Sequence, residues 1–310
     1  MNRVLVVGQG RSGTTWVGEV LGRSDGAAYV HEPDDERRDP LALRAALSLG
    51  WYPVLAPDAP ADVDDAYQRL WRGVFEGGRP ASSVRARAAR RLLRSTPRPA
   101  IRAAVAAQGH KMPTRLRLAT LLAAPRGGPA PQAIVAKSVR AIFAVEWLAQ
   151  HLGATVVVVT RHPLDVLASR LELGWSEHEG VPPEHLRRMD VQPLPEGASE
   201  LSGIGWQIGV FGTALADSAA RHREWIRVRH EDLCRAPADA FAELCRKLDL
   251  TWSDEQRRFL TESDRDGTGW AVQRVAAELP EAWRHRLSPD QADEAFAMLE
   301  RFPRALDGYR

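Results

Sequence analysis

An α/β fold built on a central parallel sheet, flanked by helices, is predicted by three features of the 310-residue chain. Short β-branched runs, "RVLVV" at 3–7, "AIVAK" at 133–137 and "ATVVVVT" at 154–160, have the length and character of buried strands. Stretches with apolar residues at helical spacing separate them. The first run passes straight into "GQGRSGTTW", a glycine-rich turn that opens a helix.

Taken in order, residues 3–8 read as a buried strand ending in glycine, and Thr14 to Leu21 as the helix that begins at the loop. "AAYV" at 27–30 is a second strand, ending at "HEPDD". Residues 64–76, 83–95 and 114–123 are helical by spacing, with Gly/Pro-rich breaks between them. "AIVAK" is the third strand, and Ile142, Val145, Leu148 and Leu152 give 141–152 a helical period. "ATVVVVT" is apolar throughout, as in the middle of a parallel sheet, and "PLDVLASRLEL" opens a helix with proline in its first turn. Residues 174–202 carry prolines, glycines and charges without a period and read as a long loop or lid. "WIRVRHEDL" at 225–233 supplies another strand and a turn. "PADAFAELCRKLDL" is an amphipathic helix with Phe241, Leu244, Cys245 and Leu248 on one face. A last helix covers 288–302, with Ser288 as cap and Pro289 at its start. With no convincing linker, one domain over 1–310 is expected, with a helical insertion near 40–130.

Composition narrows the function classes. A net charge of +2 gives no bulk pull toward nucleic acid. Two cysteines, Cys234 and Cys245, exclude a disulfide scaffold or a cysteine metal site and read as buried free thiols. The chain enters its first strand without a signal segment and has no apolar run of about 18 residues, so no transmembrane segment and a cytoplasmic location are expected. One asymmetry stands out. Between Glu76 and Glu146 there is no Asp or Glu, while arginines recur from Arg79 to Arg117. Two readings stand: a solvated helix face, or a surface toward an anionic acceptor or membrane.

The loop is an anion site in the making. Free N–H groups and the positive end of a helix dipole converge there, Gly8 and Gly13 permit the tight turn, and Ser12, Thr14 and Thr15 add hydroxyl donors. A nucleotide kinase or NTPase places lysine just before the final Ser/Thr and an acidic residue after a later strand to hold magnesium. Here the first position is Thr14, the strong charge sits earlier at Arg11, and the strand at 154–160 is followed by Arg161. Two separated anionic groups with no metal between them fit that pattern.

"RSGTTW", Arg161 closing a strand with Ser169 eight residues on, and Lys137 located 24 residues before Arg161 together resemble the sulfotransferases that use 3′-phosphoadenosine 5′-phosphosulfate (PAPS). The resemblance runs from the loop to "VRHEDL". It implies a P-loop-like three-layer fold, PAPS as sulfuryl donor, adenosine 3′,5′-bisphosphate as product and no metal. It also implies that Arg11, Ser12, Gly13, Thr14 and Thr15 hold the 5′-phosphosulfate, and that Arg161 and Ser169 hold the 3′-phosphate. Trp16 matches a tryptophan near adenine, with core packing as the rival reading. Lys137 touches either the sulfuryl oxygens or the backbone of its own turn. Arg265 and Arg274 lie where relatives close over the 3′-phosphate. Arginine in the loop is similar to the tyrosylprotein sulfotransferases and a set of bacterial enzymes. In the tyrosylprotein enzymes the catalytic glutamate lies 21 residues beyond the loop arginine, which is Glu32 here; His31 is the alternative base. His110 and His162 read as structural, and Trp283 with Arg284 as packing. The expected acceptor is a hydroxyl of a small molecule, glycolipid or saccharide. A P-loop nucleotide kinase or NTPase, and a phospho-nucleotide-binding protein without turnover, are the competing readings.

Overall fold

The structure, a computed structural model, describes residues 1–77, 83–110, 112–123, 131–175, 181, 183–265 and 275–309. In chain order the elements are β1 (Asn2–Gly8), α1 (Thr14–Leu21), β2 (Ala27–His31), α2 (Pro40–Leu49), α3 (Asp65–Gly77), α4 (Val84–Ser95), α5 (Arg98–Ala106), α6 (Thr114–Leu121) and β3 (Ala133–Ser138). There follow α7 (Val145–Leu152), β4 (Thr155–Thr160), α8 (Pro163–Glu172), α9 (Pro183–Arg188), α10 (Glu200–Arg221), β5 (Ile226–Arg229), α11 (His230–Arg235), α12 (Pro237–Lys247), α13 (Asp254–Ser263), α14 (Trp283–Arg286) and α15 (Pro289–Leu299). The strands form one parallel five-stranded sheet in the order β2-β3-β1-β4-β5, a P-loop-like α/β arrangement with the loop-bearing strand in the centre.

The chain clusters into two compact units, Met1–Val7 with Leu21–Val156, and Gly8–Val20 with Val157–Arg310. In the first, β3 lies between β1 and β2, with Val6 and His31 both in register with Lys137. Val4–Val7 and Ile134–Ala136 are buried on both faces of the sheet, which explains why these strands read as unbroken apolar runs. Helices α2, α4, α5 and α6 close a separate core around Leu43, Leu93, Ile101 and Leu116. On α3, Tyr67, Trp71 and Phe75 are buried in sequence spacing of four, and Tyr67 meets Trp147 of α7 with ring centroids 5.9 Å apart.

In the second unit β4 and β5 pair in parallel, Val157 opposite Ile226. Leu164 and Leu167 of α8, Ile204 and Ile208 of α10, and Ala295 and Leu299 of α15 form its main core. Burial removes water from their side chains at about 25 cal/mol per Å² of apolar surface.

Several elements differ from the sequence reading, for identifiable reasons. Helix α10, at 22 residues the longest among the described residues, begins at the end of the expected loop and runs through a stretch to which the sequence assigns no element. It is buried on most sides, from Gly203 to Phe211 without a break, so no apolar stripe shows, and its glycines lower local helix propensity. Helix α2 is missed although Asp39 caps it, accepting from the Leu41 N–H at 2.9 Å, with Pro40 in the first turn. Helices α5 and α13 are also unassigned from sequence. "HEDL" is a helix, α11, rather than a turn, and the loop 174–202 contains α9. The helix expected over 141–152 opens with a 3₁₀ turn, Ala141–Phe143.

The glycine at 209 is a packing requirement. A Cβ there would stand 2.2 Å from Cδ2 of Phe302. Gly209→Ala is therefore expected to destabilise the chain by about 1–3 kcal/mol through overpacking, read as a lowered melting temperature. Gly50→Ala, where nothing lies within 4 Å but φ is 77°, serves as the comparison that isolates backbone strain from packing.

Candidate active site

Each candidate residue so far named within the described chain, apart from Arg265, lies at or just beyond the carboxyl end of a strand or in the helix that follows. Open parallel sheets bind ligands at such ends. The two units carry different chemistry.

In the unit containing Gly8–Val20, the loop wraps between β1 and α1. Ser12 is buried, and both its N–H and its hydroxyl donate to the carbonyl of Gln9, at 3.1 and 2.8 Å. Thr14 is buried and Thr15 half-buried at the start of α1, where the first N–H groups of a helix lack intrahelical partners. Gly13 has φ 91°, and a Cβ on it would lie 2.3 Å from Cδ2 of His230, so conformation and space both demand glycine. His230 is thus the floor of the loop. Burial first, then the Arg161 charge, lowers its pKa well below the usual value, so it is neutral at pH 7. Trp16 packs edge-on against His230 and Phe241, with centroids 5.9 and 5.0 Å away.

Arg11 has φ 75°, in the left-handed region. Its Nε donates to the Ser169 hydroxyl at 2.9 Å. Arg161 reaches the same loop from β4, its Nη1 donating to the Arg11 carbonyl at 3.2 Å and its Nη2 to the Leu279 carbonyl at 3.4 Å. The structure therefore brings together Arg11, Arg161 and Ser169, which are up to 158 residues apart. Arg161 is 8% exposed and its Nε is buried with no hydrogen-bond partner. Among the described residues no carboxylate forms an ion pair with it; burial pulls its pKa down, opposed first by the charge of Asp165. Asp165 is itself engaged by the N–H groups of Glu281 and Trp283, at 3.1 and 2.8 Å.

In the other unit, Glu32 follows β2 with φ 46°, also left-handed. Its Oε1 is ion-paired with Nζ of Lys137, and its Oε2 accepts from the Val139 N–H at 3.2 Å. Lys137 is 4% exposed, and its ammonium meets the Glu32 carboxylate rather than its own turn. Two further contacts repeat the pairing along the same segments. The Ser138 hydroxyl donates to Asp34 at 2.6 Å while accepting from the N–H groups of Arg140 and Ala141, and Arg140 is ion-paired with Glu36. Burial, then the neighbouring Glu32 charge, pushes the Asp34 carboxyl up to about 7. His31 turns to Tyr29, whose hydroxyl lies 2.9 Å from Nδ1. Burial, then the Lys137 charge, lowers its imidazole to about 4. Asp34 Oδ1 and Tyr67 Oη, both buried without hydrogen-bond partners, line a small pocket with Ala42, Trp51 and Pro53, a place for a water or a polar ligand group.

Other sequence candidates fall elsewhere. Arg265 is exposed just past α13, and Arg274 lies outside the described residues. His162 caps α8, its Nδ1 accepting from the Leu164 N–H at 3.2 Å, and stacks on Trp283 at 5.6 Å. The Arg284 guanidinium covers the same indole. His110 is exposed and bonds to the Ala107 carbonyl. Cys234 and Cys245 are buried free thiols, and burial raises the Cys234 thiol to about 12. Residues missed by sequence reasoning are His230 under the loop and the Asp34, Glu36, Ser138 and Arg140 network. The density of acids in "HEPDDE" facing basic residues in "KSVR" was the available signal. Among the described residues no helix is long and apolar enough to cross a membrane, and no His/Cys/Asp/Glu group could hold a metal ion.

A strand, a glycine-rich anion loop and a helix start in the centre of a parallel sheet define a protein of the phosphate-loop class. The profile of the sulfotransferase family matches residues 3–254, and the chain belongs to that family. Its members are enzymes of sulfuryl transfer. Similar solved structures include the sulfotransferase domain from the curacin biosynthetic pathway, 11% identical over 97% of both chains, TM-score 0.49. Sulfotransferase STF9 from Mycobacterium avium is 14% identical over 99% of this chain and 76% of that one, TM-score 0.43. Retinol dehydratase, solved with retinol and PAP, is 14% identical over 99% of this chain and 82% of that one, TM-score 0.43. No curated protein sequence matches.

Proposed function

We propose that the chain transfers a sulfuryl group from PAPS to a hydroxyl of a small molecule, glycolipid or saccharide, releasing adenosine 3′,5′-bisphosphate, with no metal in the chemical step. The observation that carries this reading is Arg161, a buried cation beside the loop with an unpartnered Nε and, among the described residues, no carboxylate paired to it. A buried charge is costly unless a partner neutralises it. A 3′-phosphate is such a partner, and the Ser169 hydroxyl adds a donor.

On this reading Ser12, Gly13, Thr14 and Thr15 offer N–H and hydroxyl donors to the 5′-phosphosulfate. Trp16, held edge-on by Phe241 and His230, packs near the adenine. Glu32 takes the proton of the acceptor hydroxyl as that oxygen bonds to sulfur. The bond from sulfur to the bridging oxygen breaks in line, and Arg11 stabilises the charge left on that oxygen. Arginine does this by charge and hydrogen bonding, since it does not give up its proton. Lys137, oriented by Glu32, offers its ammonium to the sulfuryl oxygens.

Adenosine 3′,5′-bisphosphate is expected to raise the melting temperature by several degrees. At about 100 times its dissociation constant a ligand stabilises the native state by about 2.7 kcal/mol. ATP, without a 3′-phosphate, should give a much smaller shift in a thermal-melt titration. Equal shifts would remove PAPS as donor, and turnover that needs magnesium would favour a nucleotide kinase.

A further inference from the structure

We propose that the outer face of α4 and α6 docks on an anionic lipid bilayer. The two helices are in contact, Leu93, Leu116 and Ala119 share one core, and Ala86 and Ala89 of α4 are buried as well. Arg85, in the first turn of α4, donates to the carbonyl of Leu121 in the last turn of α6, which ties the start of α4 to the end of α6. Val84, Leu121 and Leu118 are 74%, 69% and 47% exposed, three of the six large apolar side chains so exposed among the described residues. Arginines surround them. Arg87, Arg91 and Arg94 follow Val84 at helical spacing along one face of α4, and Arg115 and Arg117 stand on α6; all five are exposed.

The helices that carry this face supply no acid of their own. No Asp or Glu occurs between Glu76 and Glu146, so α4, α5 and α6 contain none. Elsewhere acids are abundant enough to bring the whole chain to +2, which makes the basic field a local property of this unit. Exposed aliphatic side chains ringed by arginine match the interface of an anionic bilayer, where the apolar groups enter the acyl boundary and the guanidinium groups meet phosphate. Nucleic acid is a poorer match, because single strands are gripped by stacking on aromatic rings and these two helices carry none. The surface does not depend on the chemistry assigned to the active site.

Co-sedimentation of the full chain with vesicles tests the proposal. Vesicles of phosphatidylcholine mixed equally with phosphatidylglycerol are expected to retain it, and phosphatidylcholine alone is not. Raising the ionic strength from about 0.1 M to about 1 M shortens the screening length from about 10 Å to about 3 Å and should release the protein. Each basic residue contributes roughly fivefold to partitioning, so a triple variant Arg91→Gln, Arg94→Gln, Arg117→Gln should bind on the order of a hundredfold more weakly. Leu118→Ser with Leu121→Ser should lose roughly tenfold. All five positions are exposed, so both variants should melt with the parent chain. Equal retention on both vesicle types, retention on neither, unchanged binding of the triple variant, or stronger retention by duplex DNA of equal phosphate content would each overturn it.

Discussion

Replacing Glu32 with glutamine is expected to lower turnover by about 10²–10⁴-fold, the range of a general base, with little change in affinity for adenosine 3′,5′-bisphosphate. Glutamine keeps the size and can still accept from the Val139 N–H. It removes the negative charge that receives the proton in the proposed mechanism. It also leaves Lys137, 4% exposed, without its ionic partner, and breaking a buried pair costs about 3–5 kcal/mol of stability. Melting temperature must therefore be measured beside the rate. Glu32→Asp, which keeps the charge but shortens the reach, should recover stability more than turnover. The loss should be larger for an aliphatic alcohol than for a phenol, whose hydroxyl ionises near pH 10 and needs less help. Single-turnover rates with a matched pair of acceptors read both effects. Near-normal rates for Glu32→Gln together with an inactive His31→Ala would transfer the role to His31.

Arg161→Ala should weaken binding of adenosine 3′,5′-bisphosphate by about 2–4 kcal/mol, the scale for removing a charged partner of a buried anion. The free chain loses two hydrogen bonds to carbonyls but is relieved of a buried charge, so the penalty concentrates in the complex. Arg11→Ala should act differently and cost about 10²–10³-fold in turnover, because the bridging oxygen gains its charge only as the bond to sulfur breaks. Calorimetry and rate measurements on both variants separate the two assignments. Abolished binding in Arg11→Ala with normal binding in Arg161→Ala would reverse them.

The loop was legible in the sequence because its parts are contiguous. Gly8, Arg11, Gly13 and the hydroxyl residues stand within eight positions, and a strand on one side and a helix on the other fix what they do. Arg161 was legible because it closes an apolar strand, and Ser169, eight residues on in the helix that Pro163 opens, was found through the family resemblance. What pairs with what was not. Lys137 and Glu32 are 105 residues apart, and only the register that sets His31 beside Lys137 brings their side chains together. The Asp34–Ser138 and Glu36–Arg140 contacts come from the same register. His230 was hidden because an imidazole packed under a glycine has no sequence period. Helix α10 was hidden because burial on most sides erases the apolar stripe that announces a surface helix.

Arg11 and Glu32 share a backbone property, φ angles of 75° and 46°. A side chain in that region costs about 1–3 kcal/mol, and glycine escapes the cost. At position 11 folding and the proposed chemistry therefore rank the twenty amino acids in conflicting order, while at 32 the buried pair with Lys137 offsets the strain. A library sorted for survival of heating should drift toward glycine and asparagine at 11, whereas at 32 the loss of the buried pair with Lys137 outweighs the strain relieved and glutamate should persist. A library sorted for product should hold arginine and glutamate there despite the strain. On the proposed mechanism, position 11 is therefore one at which thermal screening alone selects against the catalyst.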